Sequence, residues 1–222
     1  MAQIFHRGAN TLAKASIVAA VLLGGIAFYV VTQIARSSYL TGIDVERQQP
    51  VQFSHKHHSG DDGIDCRYCH TAVETSSAAG MPPTQTCMNC HSQIWSDSPY
   101  LEIVRASYRD NKPIQWEKVH DLPDYVYFNH SAHINKGVGC SSCHGNIAEM
   151  PAVRQVNTLQ MEWCLSCHRE PEKFLRPKSE IYNTYWRAQN STTEEYEQGK
   201  ALKVEYKVRN RLMMTSCSTC HR

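Results

Sequence analysis

The chain has no cysteine to spare, no strong net charge and, past residue 36, no long apolar run. Its ten cysteines all fall in five C-x-x-C pairs, so no single thiol is left over as a candidate nucleophile or intermolecular bridge. The net charge is +2 at pH 7, which singles out no class of partner. A purely structural or nucleic-acid-binding role is set aside. Mean hydropathy is −0.48 in spite of the one apolar run, so the rest of the chain is polar. Aromatic residues make up an ordinary 9%. Such a polar stretch has little apolar side chain to set against the entropy of ordering the chain. Something other than side chains must supply buried apolar surface.

What is present answers that need. Cys66-Arg67-Tyr68-Cys69-His70, Cys87-Met88-Asn89-Cys90-His91, Cys140-Ser141-Ser142-Cys143-His144, Cys164-Leu165-Ser166-Cys167-His168 and Cys217-Ser218-Thr219-Cys220-His221 each read C-x-x-C-H. Two thiols at this spacing add to the two vinyl groups of one porphyrin, and the next imidazole becomes the proximal ligand of its iron. With twelve His in 222 residues, His after all five pairs by chance is on the order of 10⁻⁷. A zinc or disulfide framework would leave those histidines unexplained. The expectation is five covalently bound haem c, with proximal His70, His91, His144, His168 and His221. The expected fold is a multihaem cytochrome c, mostly irregular and α, whose core is stacked porphyrin and which does not fold without it.

Residues 15–35 carry no charge, and 21 residues at about 1.5 Å each span a hydrocarbon core of roughly 30 Å. The run is long for a cleaved leader, and no clear A-x-A site follows it. Arg7 and Lys14 before it, against Arg36 after it, favour the N-terminus inside and the haem sites on the outer, periplasmic side. Tyr29 and Tyr39 suit the outer interface. His6 then lies across the membrane from the haem sites.

A repeat follows. Phe53-Ser54-His55-Lys56-His57-His58 precedes Cys66 and Cys87, and Phe128-Asn129-His130-Ser131-Ala132-His133 precedes Cys140 and Cys164. Both read F-x-H-x-x-H. Histidines three apart share one side of a helical turn, so His55, His58, His130 and His133 are expected as distal ligands of four haems. Filling both axial positions keeps iron low-spin and fit for electron transfer. His120 is the first choice for the fifth distal ligand. His57, Met81, Met150, Met161, Met213 and Met214 stay open.

The expected division is 1–14 cytoplasmic, 15–36 anchor, 37–50 linker, 51–119 and 120–170 two dihaem modules, and 171–222 an extension with the fifth haem. Asp97-Ser98-Pro99 reads as a helix start, with Leu101, Val104 and Tyr108 at helical spacing and Pro113 beyond its end. Residues 171–177 read as an exit loop. From Thr192 a capping box with Glu195 favours helix, whereas the alternation of Leu202, Val204, Tyr206 and Val208 favours strand. The basic residues Arg67, Arg169, Lys173, Arg176 and Lys178 read as a mix of propionate partners and solvated surface.

The five attachment sites, the N-terminal apolar helix, Gly63-Ile64-Asp65-Cys66-Arg67-Tyr68-Cys69-His70, Leu122-Pro123-Asp124-Tyr125-Val126-Tyr127-Phe128-Asn129-His130 and Ser216-Cys217-Ser218-Thr219-Cys220-His221 together resemble the pentahaem cytochrome c subunit of alternative complex III. The F-x-H-x-x-H modules by themselves resemble the cytochrome c3 and c7 type. The first resemblance implies a bacterial quinol:electron-acceptor oxidoreductase. Its partners would be a large iron–sulfur protein, integral membrane quinol-oxidising subunits and a monohaem cytochrome c subunit. The acceptor would be a soluble cytochrome c, a copper protein or a terminal oxidase.

Three functions compete. The first is an electron-relay subunit of a membrane quinol-oxidising complex, with no catalytic site of its own. The second is a self-sufficient membrane-anchored quinol dehydrogenase feeding a periplasmic reductase. The third is a terminal reductase such as one for nitrite. That reaction needs an open haem, often with a proximal Lys, and five sites ending in His speak against it.

Overall fold

The computed structural model describes residues 4–186 and 193–221. The chain forms two compact units, residues 1–43 and 44–222. The first holds α1 (Ala9–Arg36) and a single turn, α2 (Ser38–Thr41), closed by Gly42 at φ 69°. Glycine takes this left-handed conformation at no steric cost. Helix α1 starts six residues before the uncharged stretch. At 28 residues it exceeds the length that crosses a bilayer, and it buries no side chain within the chain.

The second unit is a string of short helices: α3 (Cys66–Cys69), α4 (Thr84–His91), α5 (Glu102–Asp110), α6 (His130–Ile134), α7 (Ser141–His144), α8 (Met161–Arg169), α9 (Thr193–Glu205), α10 (Arg211–Met214) and α11 (Cys217–Cys220). A π-helical turn covers Lys56–Asp61. Among the described residues β-structure is limited to isolated bridges, such as Val126 with His221 and Val138 with Leu175. This mostly helical, irregular chain is what the sequence predicts.

Helix α5 forms where the spacing places it, with Val104 buried. It stops on Asn111 at φ 50°, two residues before Pro113. Three further stretches are packed against distant chain. Within residues 37–50, Asp44 donates its amide to the Gln155 carbonyl at 2.8 Å, and Gln49 pairs with the Glu117 backbone in both directions. Residues 171–177 leave the fourth site as a packed loop. Pro171, Leu175 and Arg176 are buried, and the segment carries a 3₁₀ turn at Pro171–Lys173. The 202–208 alternation is helical as far as Glu205. Leu202 and Tyr206, four apart, are buried, whereas Val204 is exposed. Thr192 of the capping box lies outside the described residues.

Among the described residues eleven apolar side chains are buried, and no large side chain is completely so. Seven of them form two small clusters. One is Val138, Leu175, Leu202 and Tyr206; the other is Val73, Ile134 and Ile181. A unit of this length normally buries a larger core, so side chains alone do not account for its cohesion.

Candidate haem-binding sites

All five cysteine pairs sit on short helices. Cys66 and Cys69 open and close α3; Cys87 and Cys90 lie in α4; Cys143 lies in α7 with Cys140 as its N-cap; Cys164 and Cys167 lie in α8; Cys217 and Cys220 bound α11. Thiols three apart on a helical turn lie on one face, as attachment to one porphyrin edge requires. No disulfide forms among the ten. Among the described residues no group of three or more His, Cys, Asp or Glu converges on a bare metal site.

The distal candidates are raised by local structure. His55 caps the π-helical turn that contains His58. His130 and His133 lie on α6, whose start is capped by Asn129 accepting from the Ala132 amide at 3.1 Å. Phe53 meets His55 edge-on (4.9 Å, 86°) and stacks on His58 (4.4 Å, 24°). Phe128 repeats this with His130 (4.8 Å, 89°) and His133 (4.5 Å, 25°).

Each distal candidate faces one proximal ring. Ring centres are 6.5 Å apart for His55 and His70, 6.1 Å for His58 and His91, 6.4 Å for His130 and His144, and 6.2 Å for His133 and His168. Two imidazoles sharing one metal at bonds of about 2 Å have centres about 6.3 Å apart. The residues therefore fit a six-coordinate haem iron at four places.

The tautomers agree. Nδ1 donates to a backbone carbonyl in His58 (Ser54), His70 (Gly80), His91 (Ile94), His130 (Ser77), His133 (Asn129), His168 (Met214) and His221 (Tyr125), at 2.7 to 3.1 Å. A carbonyl only accepts, so Nδ1 carries the proton and Nε2 keeps its lone pair for a metal. Burial, aided by the nearby His70 and His58, pushes His55 down to about 4. Burial, then the rings of His120, His130, His70 and His55, pushes His144 down to about 3. Both rings stay neutral, as metal ligands must. Burial pushes the Cys143 and Cys167 thiols up, to about 11 and 12.

The remaining candidates lie elsewhere. His120 packs edge-on against His144 with centres 4.3 Å apart, too close for two ligands of one iron, and its buried Nε2 has no partner. Tyr125 is the ring beside His221, at 5.7 Å. His57 stacks on Trp95 and pairs with Asp62 at 3.5 Å. Met81, Met161 and Met213 are exposed; Met150 is buried.

The sites adjoin one another in an order. The Asn89 side chain donates to the Tyr68 hydroxyl at 3.0 Å, joining the second and first. The Cys66 and Cys140 side chains are neighbours, joining the first and third. Cys143 neighbours Cys164, and Cys164 neighbours Cys220, which joins third to fourth and fourth to fifth. Sequence reasoning missed this order. It also gave no role to the two phenylalanines, although they head both repeats.

Residues 126–222 match the family of cytochrome c7 and related cytochrome c, and residues 32–115 match the class III cytochrome c family. The chain is also 38% identical over 100 residues to the menaquinone reductase multihaem cytochrome c subunit of Nitratidesulfovibrio vulgaris (strain Hildenborough). That stretch is 45% of this chain and 47% of the relative, so the chain spans about half the length of the curated protein it matches. The chain is a multihaem cytochrome c that carries covalently bound c-type haem on two modules of the cytochrome c3/c7 type.

Proposed function

We propose that this chain is a membrane-anchored pentahaem electron-transfer subunit of a quinone-linked complex. The four imidazole pairs at 6.1 to 6.5 Å carry the reading. Haem iron supplies the one-electron couple. His55 with His70, His58 with His91, His130 with His144, and His133 with His168 would hold four irons between them, which would leave no open position for substrate or oxygen. His221 is the proximal ligand of the fifth. His120, whose buried Nε2 has no other partner, is the first candidate for its distal position, ahead of His57 and the methionines. The adjoining sites lay out a path from the second through the first, third and fourth to the fifth, and no other chemistry is asked of the chain. Helix α1 anchors it with the haem sites on the periplasmic side.

The partners follow from the resemblance: a large iron–sulfur subunit, membrane quinol-oxidising subunits and a monohaem cytochrome c, as in alternative complex III. The relative's name favours a second reading, in which the same relay delivers electrons to menaquinone. Gentle extraction from membranes, identification of the co-isolated proteins and a redox titration of the complex test both. Iron–sulfur and integral membrane partners, five haems per chain by pyridine haemochrome and midpoints above the menaquinone couple are expected for quinol oxidation. Midpoints below it favour menaquinone reduction. A lone polypeptide reduced directly by quinol replaces both readings with the self-sufficient dehydrogenase.

A further inference from the structure

Arg176 is 3% exposed, the least accessible charged side chain among the described residues. It lies in the segment after the fourth site, yet it reaches back to the third. Its amide donates to the Gly137 carbonyl at 2.9 Å, beside the bridge between Val138 and Leu175. Its Nη1 donates to the Ser141 hydroxyl at 3.1 Å and its Nη2 to the Ser142 hydroxyl at 2.9 Å, the two residues between Cys140 and Cys143. Nη1 also meets the carbonyls of Glu180 and Asn183, and the guanidinium lies over the Trp186 ring at 4.4 Å. Room is made for it. A Cβ on Gly139 would fall 2.3 Å from the Arg176 Cζ.

No carboxylate neutralises this charge among the described residues. Glu180 is the acidic group near enough to act on it, and its carboxylate accepts from Asn183 at 2.8 Å instead. Burying an arginine with hydroxyls and carbonyls alone is costly, and its Nε is left with no partner. A cation kept at that cost beside a redox centre acts on its electrostatics. Reduction adds one negative charge to the iron–porphyrin unit, and a cation in low dielectric favours that state.

We propose that Arg176 is a positioning residue that sets the reduction potential of the haem on Cys140 and Cys143, raising it above the value its two imidazoles alone would give. This rests on the reading that those thiols hold a haem. The third site joins the two modules, so Arg176 makes the junction of the path the favoured resting place of an electron.

The test is a redox titration of the haem-loaded full chain with Arg176→Met, Arg176→Lys and Ser142→Asp. Arg176→Met keeps much of the volume and removes the charge, and one midpoint is expected to fall. Arg176→Lys loses the fork but keeps the charge, and that midpoint is expected to stay close to wild type. Ser142→Asp keeps the arginine and neutralises it in place, so the same midpoint falls without a cavity. This variant decides the matter if Arg176→Met does not fold. Unchanged midpoints in Ser142→Asp, or equal falls in Met and Lys, overturn the proposal. A pyridine haemochrome count on each variant separates this from the underlying reading: a wild-type chain with fewer than five haems is a failure of the pentahaem assignment, not of Arg176.

Discussion

The two F-x-H-x-x-H modules agree closely in one half and part in the other. Their phenylalanine contacts match within 0.1 Å and 3°, comparing 4.9 Å, 86° and 4.4 Å, 24° with 4.8 Å, 89° and 4.5 Å, 25°. Their first imidazole pairs are nearly coplanar, at 4° and 8°. The second pairs differ, with His58 and His91 crossing at 69° and His133 and His168 at 35°. The distal rings are not the source, since one phenylalanine fixes each pair in the same way. The proximal rings are. His91 hangs on the carbonyl of Ile94, three residues on, whereas His168 hangs on Met214, 46 residues away. Local sequence sets the distal face of these two sites, and the carbonyl that meets the proximal imidazole, near in the chain or far, sets the other.

Withholding haem gives the largest effect on this comparison. With eleven buried apolar side chains among the described residues, both modules are expected to lose cooperative unfolding together when haem attachment is blocked; circular dichroism during heating reports it. A module that still melts cooperatively would mean that its side chains suffice. Next come His55→Ala and His130→Ala. Each should turn one iron high-spin while the haem stays attached, and to the same extent, as read by absorption and electron paramagnetic resonance. A change in only one of the two would break the equivalence of the first sites. The unaltered ferric protein sharpens the other half: the two near-coplanar pairs should give ordinary rhombic signals, and His58 with His91 a more anisotropic one.

Smaller effects test the joints. Gly60, on the π-helical turn of the first module, leaves no space for a Cβ, which would meet the Ala148 carbonyl of the second at 2.2 Å. Gly60→Ala should cost about 1–3 kcal/mol through forced backbone shift, seen as a lower melting temperature. Smallest is the contact of α9 with the segment after the fourth site. Burial pushes the Glu172 carboxyl up, but Lys203 at 2.8 Å, a backbone amide and the Tyr196 hydroxyl outweigh it and hold it below its ordinary value. A depressed folded pKa stabilises the fold above the ordinary carboxylate range, and this is lost as pH falls through the folded value. Glu172→Gln should remove about 1 kcal/mol near neutral pH and flatten the acid limb of a stability–pH curve.

The attachment chemistry was legible because it is written in contiguous residues: two thiols, then an imidazole. The fold class followed from how little apolar side chain was left. The F-x-H-x-x-H pattern named four distal candidates because its geometry is local. Which ring faces which was not legible, since His130 is steered by Ser77, 53 residues before it, and His168 by Met214. The 202–208 stretch left helix and strand open because Val204 is an exposed apolar residue that mimics a strand pattern. Arg176 looked like one more scattered cation, and only the bridge between Leu175 and Val138 carries it to Ser141 and Ser142.

The bond from His168 to the Met214 carbonyl bears on biogenesis. A chain emerging from its N-terminus presents Cys164 and Cys167 well before Met214 has been made. Likewise His221 takes its bearing from Tyr125, translated long before it. The stretch from Met214 to His221 therefore acts as a latch: it is made after both His168 and Tyr125, and folding it back over chain already in place orients the two imidazoles in one closing step.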